Sequence, residues 1–268
     1  MNLFEKFVLF LSFKAPKPTD YGWFHLMFFA LVIIGSIVLS VFFRKVSDRN
    51  FRKIVFAFWL TIVLFEIVKE LVYSFSAETG EWDYQWYIFP FQFCSTPFYL
   101  LPFIIFMKDC KIRDAVIIFI STFSLFAGIC VFCAPGDVFN TSSLAVQIQT
   151  MVHHGTQVVL GVYGASYYIK KFTLKNFLFS VITFAILVLV AMVLNLIMYR
   201  VIDETFNMFY ISPYFGCHLP ILSIIYSAVP YVIFLMVYVF GFSLCAFIVY
   251  GAILGIKKLI QKLTKKVG

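Results

Sequence analysis

Residues 177–199 have the sequence FLFSVITFAILVLVAMVLNLIMY, which contains no charged side chain. A helix of roughly 20 apolar residues is long enough to cross the hydrocarbon core of a bilayer. This stretch therefore predicts a transmembrane helix and decides the class of the protein. The rest of the chain agrees, because 62% of its 268 residues are hydrophobic and only 13% are charged. A soluble domain of this length would not carry so much apolar surface.

Six further apolar segments of similar length predict an all-α, polytopic membrane protein with seven transmembrane helices and no separate soluble domain. The seven predicted spans are residues 23–43, 54–75, 89–107, 115–134, 147–169, 177–199 and 223–254. They form one predicted domain over residues 1–268. Within it, residues 1–20 are expected to form an interfacial helix and linker, residues 23–254 the bundle, and residues 255–268 a basic cytoplasmic tail.

The positive residues predict the orientation of this bundle. Lys and Arg concentrate in four alternate segments, which are residues 44–53, 108–113, 170–175 and 255–268. The intervening loops contain almost none apart from Arg200. Because cytoplasmic loops carry the excess of Lys and Arg, we expect the N-terminus outside and the C-terminus inside, in a cell membrane. The net charge of +8 is thus a topology signal, and we expect no nucleic-acid partner.

Polar residues inside the apolar segments concentrate at one predicted depth. An ionisable side chain within a bilayer is costly, so each one is a candidate functional residue. With the orientation above, most of them fall in the outer half of the bundle. These candidates are Glu66, Lys69, Glu70, Gln92, Cys94, His153, His154, Gln157 and Asn195. The shared depth predicts one polar chamber that opens to the extracytoplasmic side.

Cys94 and one histidine are the candidate catalytic residues. Cys94 is flanked by Pro90 and Pro97, which interrupt helical hydrogen bonding and indicate a cavity or a partner nearby. A histidine that accepts the thiol proton would make Cys94 a nucleophile; otherwise Cys94 is a packed membrane cysteine. His153 and His154 point about 100° apart, so one of them is expected to face the chamber. His154 is preferred because it shares a helical face with Gln157.

The remaining candidates are predicted to bind substrate. Gln92, Asn195 or Tyr210 could donate hydrogen bonds to an oxyanion. Asn207 and Tyr210 belong to an aromatic, turn-rich segment that we expect to cover the mouth of the chamber as a lid. The group formed by Glu66, Lys69 and Glu70 could be a structural salt bridge, a site for a polar head group or a proton relay.

Several of these residues together resemble a known family. Residues 89–95 (FPFQFCS), His154-Gly155, Asn195, the segment 207–210 and Glu66 are similar, in order and spacing, to positions in the YwaF-like bacterial integral membrane proteins. That family is related to the eukaryotic transmembrane-protein-164 type of acyltransferase. The resemblance implies acyl transfer onto lysophospholipids, with Cys94 as the acyl-accepting thiol and His154 as its base. The family usually carries a histidine near the position of Gln92, which this chain lacks.

The leading hypothesis is therefore a membrane-embedded acyltransferase or transacylase that acts on phospholipids at the outer leaflet and needs no cofactor. One alternative is a transporter or small-molecule-binding membrane protein that uses the Glu66, Lys69 and Glu70 site. Another is a metal-dependent hydrolase, although the histidines do not have the spacing of a zinc motif. In every case membrane lipids are the expected partners.

Overall fold

The computed structural model describes residues 1–76 and 78–267. The protein is 75% helical, and the described residues contain no strand, which confirms the predicted all-α class. The α-helices are α1 (Leu3–Leu11), α2 (Trp23–Phe42), α3 (Asp48–Ser74), α4 (Thr96–Phe106), α5 (Lys111–Phe119), α6 (Leu125–Cys133), α7 (Leu144–Tyr167), α8 (Leu174–Val201), α9 (Leu222–Ala228) and α10 (Tyr231–Val267). A π-helical turn, Ile120–Ser124, joins α5 to α6 in one continuous rod.

The lengths and composition of the helices support a multi-pass membrane protein. Within the described residues, four helices are long and apolar enough to cross a bilayer: Trp23–Phe42, Lys111–Cys133, Leu174–Val201 and Tyr231–Leu263. A shorter apolar helix covers Phe93–Phe106. Helices α3 and α7 have 27 and 24 residues, but they carry the polar side chains that make them less apolar. The count of seven spans and the outward N-terminus remain predictions.

Two of the predicted spans are not continuous helices. The span predicted at 89–107 becomes α-helical only at Thr96, because Pro90 and Pro97 disrupt the preceding backbone and leave a 3-10 turn, Phe93–Ser95. The span predicted at 223–254 is divided between α9 and α10 at Pro230, which has no N–H to continue a helix. Helix α10 then continues through the predicted tail as far as Val267.

Helix α7 lies at the centre of the fold. It packs against α2, α3 and α6, and most of its residues are buried. Gly161 allows the π-helical turn to approach α7 closely. A Cβ added there would lie 2.6 Å from Cβ of Leu125 and 3.0 Å from the carbonyl oxygen of Ile120. Small residues permit such close packing of membrane helices. The N-terminal half of α7 contacts the turn before α4 through His153.

Gly161→Ala is expected to lower the free energy of unfolding by about 1–3 kcal/mol, because the added methyl group overpacks a rigid interface. The measurement is thermal unfolding of the purified protein in detergent. Gly251→Ala is the matched control, since a Cβ at that position in α10 meets nothing within 4 Å. Equal shifts for the two variants would contradict the close contact between α7 and the π-helical turn.

Candidate functional site

One cavity brings together predicted site residues from three separate apolar segments. It has a volume of about 560 Å³ and lies where the C-terminal half of α3, the turn before α4 and the N-terminal half of α7 meet. Its wall includes six of the residues singled out above: Glu66, Lys69, Gln92, Cys94, His153 and His154. A volume of this size is typical of a small-molecule site. These side chains therefore share one chamber at one end of the bundle.

The backbone of Cys94 is held by two side chains of α7. Cys94 lies in the 3-10 turn Phe93–Ser95, and Pro97, three residues later, has no N–H to donate to the Cys94 carbonyl. That carbonyl instead accepts hydrogen bonds from Nε2 of His153 at 2.9 Å and from Nε2 of Gln157 at 2.6 Å. Helix α7 thus positions the turn that carries the thiol.

The two histidines have different hydrogen-bonding roles. His153 donates from Nε2 to the Cys94 carbonyl, so in a neutral ring its lone pair is on Nδ1. That Nδ1 is buried and has no hydrogen-bond partner among the described residues. His154 uses Nδ1 to donate to the carbonyl of Thr150 at 2.8 Å, which leaves the lone pair on Nε2.

Both imidazoles line the cavity, which corrects the expectation that only one of them would face it. It is also His153, four residues before Gln157, that shares a hydrogen-bonding target with Gln157; His154 does not. No hydrogen bond joins the Cys94 thiol to either ring in the part of the chain that the structure describes. The thiol and the two imidazoles therefore lie in one wall of the cavity, but no thiol–imidazole hydrogen bond is formed among the described residues.

Lys69 lies at the centre of a compensated group of charges. Its ammonium forms ion pairs with Glu66 and, at 3.3 Å, with Glu70. It also donates a hydrogen bond to the carbonyl of Ile88 at 2.9 Å. Glu66 in addition accepts a hydrogen bond from Gln149 at 3.3 Å. Of the three charged residues, Glu66 and Lys69 line the cavity, so its wall holds one carboxylate and one ammonium.

Two aromatic side chains line the cavity beside these charges. The rings of Tyr73 and Tyr87 have centroids 6.4 Å apart and an interplanar angle of 72°. Aromatic faces next to carboxylates are typical of sites that bind ammonium groups. Tyr87 and Gln149 were not among the residues predicted to form the site. Gln149 could have been found, because it lies four residues before His153 and so on the same face of α7.

Asn195 and Gln92 hold an irregular segment of backbone. Asn195 donates to the carbonyl of Met208 at 2.9 Å and accepts from the amide of the same residue at 2.7 Å. Gln92 donates to the carbonyl of Asn207 at 2.9 Å and accepts from the amide of Phe209 at 2.8 Å. Phe209 and Tyr210 have φ values of 58° and 55°, which are unusual for side chains of this size. The two amides therefore stabilise a strained turn.

Most of this segment is buried in the bundle, although Tyr210 is 39% exposed, which corrects the expectation of a lid over the chamber mouth. Met208 and Phe209 are 0% exposed. Asn207 uses its amide within the segment, accepting from Ser212 and donating to Gly216. Non-helical backbone at such a position is tolerated because protein groups satisfy its hydrogen bonds. Glu70, Gln157, Asn195, Asn207 and Tyr210 do not line the 560 Å³ cavity.

Among the described residues, no group of three His, Cys, Asp or Glu side chains is arranged to hold a metal ion. His153 and His154 lie in the same wall as Glu66, but Glu66 is paired with Lys69 and Gln149. The described residues therefore provide no set of metal ligands for the metal-dependent hydrolase considered above.

Comparison with known protein families gives a match over most of the chain. A family model described as the TMEM164 family matches residues 19–254. The matched region includes the cavity and all seven predicted spans. No curated protein and no solved structure matched the chain. The relationship to bacterial YwaF-like proteins remains a prediction.

Proposed function

The chain belongs to the TMEM164 family, and we propose that it is a membrane-embedded acyltransferase that moves acyl chains between phospholipids through a thioester on Cys94. The observation that carries the proposal is the shared wall of the 560 Å³ cavity. In it, a thiol lies on a turn held by α7, and two imidazoles from α7 line the same space. A thiol and a base beside a ligand-sized cavity are the components of covalent acyl transfer.

The reaction has two balanced halves. In the first, Cys94 loses its proton to an imidazole and attacks the ester carbonyl of a donor phospholipid. The sulfur–carbon bond forms, the ester carbon–oxygen bond breaks, and the proton passes to the leaving alcohol. In the second half, the hydroxyl of a lysophospholipid gives its proton to the same imidazole and attacks the thioester. The thiol is then released and regains the proton.

His154 is the proposed base, and His153 is a positioning residue. The Thr150 carbonyl fixes the His154 tautomer with its lone pair on Nε2, as a base requires. His153 instead holds the carbonyl of Cys94. Gln92 uses one Nε2 hydrogen on the buried segment, so its second hydrogen is available for the developing oxyanion. The thiol and Nε2 of His154 would meet when substrate fills the cavity.

The charges of the cavity favour a zwitterionic head group. The ammonium of Lys69 is already paired with Glu66 and Glu70 and donates to the carbonyl of Ile88, so it is a weak partner for a phosphate. The carboxylate of Glu66 and the faces of Tyr73 and Tyr87 suit the ammonium of a choline or ethanolamine head group.

His154→Gln is expected to lower kcat by at least about a hundredfold, because the variant has no general base. His153→Gln is the matched control. Its amide can still donate to the Cys94 carbonyl, so we expect kcat within about tenfold of the unchanged protein. The measurement is transfer of an isotopically labelled acyl chain from phosphatidylcholine to a lysophospholipid by purified protein in micelles. The reverse ranking would make His153 the base and contradict the assignment of His154.

The same assay tests the function itself. A donor labelled in one acyl chain should yield labelled product and lysophospholipid in equal amounts, with ping-pong kinetics. Failure of the folded protein to transfer acyl chains from any phospholipid donor would contradict the proposal. The alternative is a transporter. It would be indicated by proton-coupled uptake of a solute into vesicles, if Glu66→Gln abolishes this uptake and Cys94→Ala does not affect it.

A further inference from the structure

A second cavity lies at the opposite end of α3. It has a volume of about 420 Å³ and is formed between the first turns of α3 and the end of α4. Its wall consists of Asp48, Arg49, Arg52, Lys53, Phe56 and Ile105. Phe56 and Glu66 are ten residues apart on one helix, so the two cavities are separated by about 15 Å. None of these residues takes part in the proposed acyl transfer.

Two of the charged residues in this wall, Asp48 and Arg52, form hydrogen bonds within the protein. Asp48 accepts hydrogen bonds from Nε of Arg52 at 2.6 Å and from Arg113 at 2.5 Å. Burial alone would raise the pKa of the Asp48 carboxyl, but these two arginines hold it below its usual value. Arg52 also donates to the carbonyls of Ile105 and Met107, at 2.8 and 2.5 Å, which ties α3 to the end of α4. Asp48 is therefore ionised and already neutralised.

The remaining charged residues in the wall, Arg49 and Lys53, are cations without an acidic partner among the described residues. Arg49 and Lys53 are four residues apart, so they lie on the same face of α3. Both are exposed, and in the part of the chain that the structure describes neither has an ion pair or a hydrogen bond from its side chain. Because Asp48 is neutralised by other residues, these two positive charges face the cavity without a counterion.

The same helix face becomes apolar further along. Phe56 follows Arg52 by one turn, is 39% exposed and lines the cavity. Leu60 and Leu64, at the next two turns, are 41% and 55% exposed. A ligand that matches this face needs an anionic group at one end and hydrocarbon at the other. A phospholipid has this arrangement, and basic pockets between membrane helices are typical sites for anionic head groups.

We propose that the 420 Å³ cavity binds the phosphate of an anionic phospholipid, with the acyl chains of that lipid lying along Phe56, Leu60 and Leu64. Arg49 and Lys53 provide the charge that selects an anionic lipid over a zwitterionic one. The lipid bound here is a ligand of the bundle and not a substrate, because Cys94 is at the other end of α3.

The double variant Arg49→Ala/Lys53→Ala tests this site. The probe is a phosphatidylglycerol with a fluorescent acyl chain, titrated into purified protein in phosphatidylcholine nanodiscs. With two interfacial cations removed, we expect the affinity to fall about thirtyfold. The matched control is Lys170→Ala/Lys175→Ala, which removes the same charge from exposed lysines on the same predicted side of the membrane. We expect this control to change the affinity less than about threefold, since neither lysine lines the cavity.

Two further arms complete the test. Arg49→Lys/Lys53→Arg keeps both charges and is expected to retain binding within about threefold. It also separates a loss of charge from a loss of folding, which thermal unfolding of each variant checks. Inorganic phosphate at millimolar concentration should not displace the lipid, whereas unlabelled phosphatidylglycerol should. Equal losses for the two alanine pairs, or complete displacement by inorganic phosphate, would overturn the proposal of a lipid site.

Discussion

Cys94→Ala is expected to lower the rate of acyl transfer by at least about a thousandfold, because the variant has no atom that can carry the acyl chain. The fold should survive this change. His153 and Gln157 bind the backbone carbonyl of Cys94 and not its side chain, so the turn keeps both of these hydrogen bonds. The measurement is the labelled acyl-transfer assay, together with the melting temperature of each purified variant.

Cys110→Ala is the matched control for this experiment. Cys110 is also partly buried and free, but it precedes α5 and does not line the 560 Å³ cavity. We expect it to keep full activity. Activity of Cys94→Ala within about tenfold of the unchanged protein would contradict the covalent step, because removal of a nucleophile lowers the rate by far more than tenfold.

Asn195→Leu is expected to lower the free energy of unfolding by about 2–4 kcal/mol. Asn195 is 0% exposed, and its amide satisfies both the N–H and the carbonyl of Met208. Leucine has nearly the same size but leaves both backbone groups buried without partners. The measurement is chemical or thermal unfolding in detergent.

Thr183→Val is the matched control, since Thr183 is on the same helix and its hydroxyl donates to the Phe179 carbonyl one turn earlier. Its expected cost is below about 1 kcal/mol. Asn195→Asp, which keeps the acceptor for the Met208 amide, should lie between the two. An Asn195→Leu variant as stable as Thr183→Val would show that Asn195 does not hold the segment after α8.

Hydrophobicity along the chain predicted the class and the approximate place of most helices, since long apolar segments have few other structures available in a bilayer. It failed where the apolar backbone is not helical. Residues 89–92 were placed in a predicted span, and composition cannot distinguish a buried irregular segment from a helix. The segment around Met208 was predicted to be rich in turns, but its sequence did not show that it is buried. The break at Pro230 was open to prediction, because proline rarely continues a helix.

The candidate site was predictable in outline because ionisable residues in apolar segments need polar surroundings. Glu66, Cys94 and His153 do line one cavity. The predicted depth of a polar residue could not show whether its side chain contacts substrate or forms hydrogen bonds within the protein. Asn195 has its amide on a buried turn, a contact that only the tertiary structure provides. The pairing of His153 with Gln157 follows from their i, i+4 spacing and could have been read from the sequence.

The account rests on Cys94 carrying the acyl chain, and the mass of the protein tests this most directly. Purified protein is incubated with a phospholipid donor in the absence of acceptor, quenched in acid and analysed intact and after proteolysis. The prediction is a mass increase of one acyl chain, localised to the peptide with Cys94, removed by hydroxylamine and absent from Cys94→Ala. Acyl transfer that proceeds with no adduct on Cys94, or with an adduct that persists in Cys94→Ala, would contradict it.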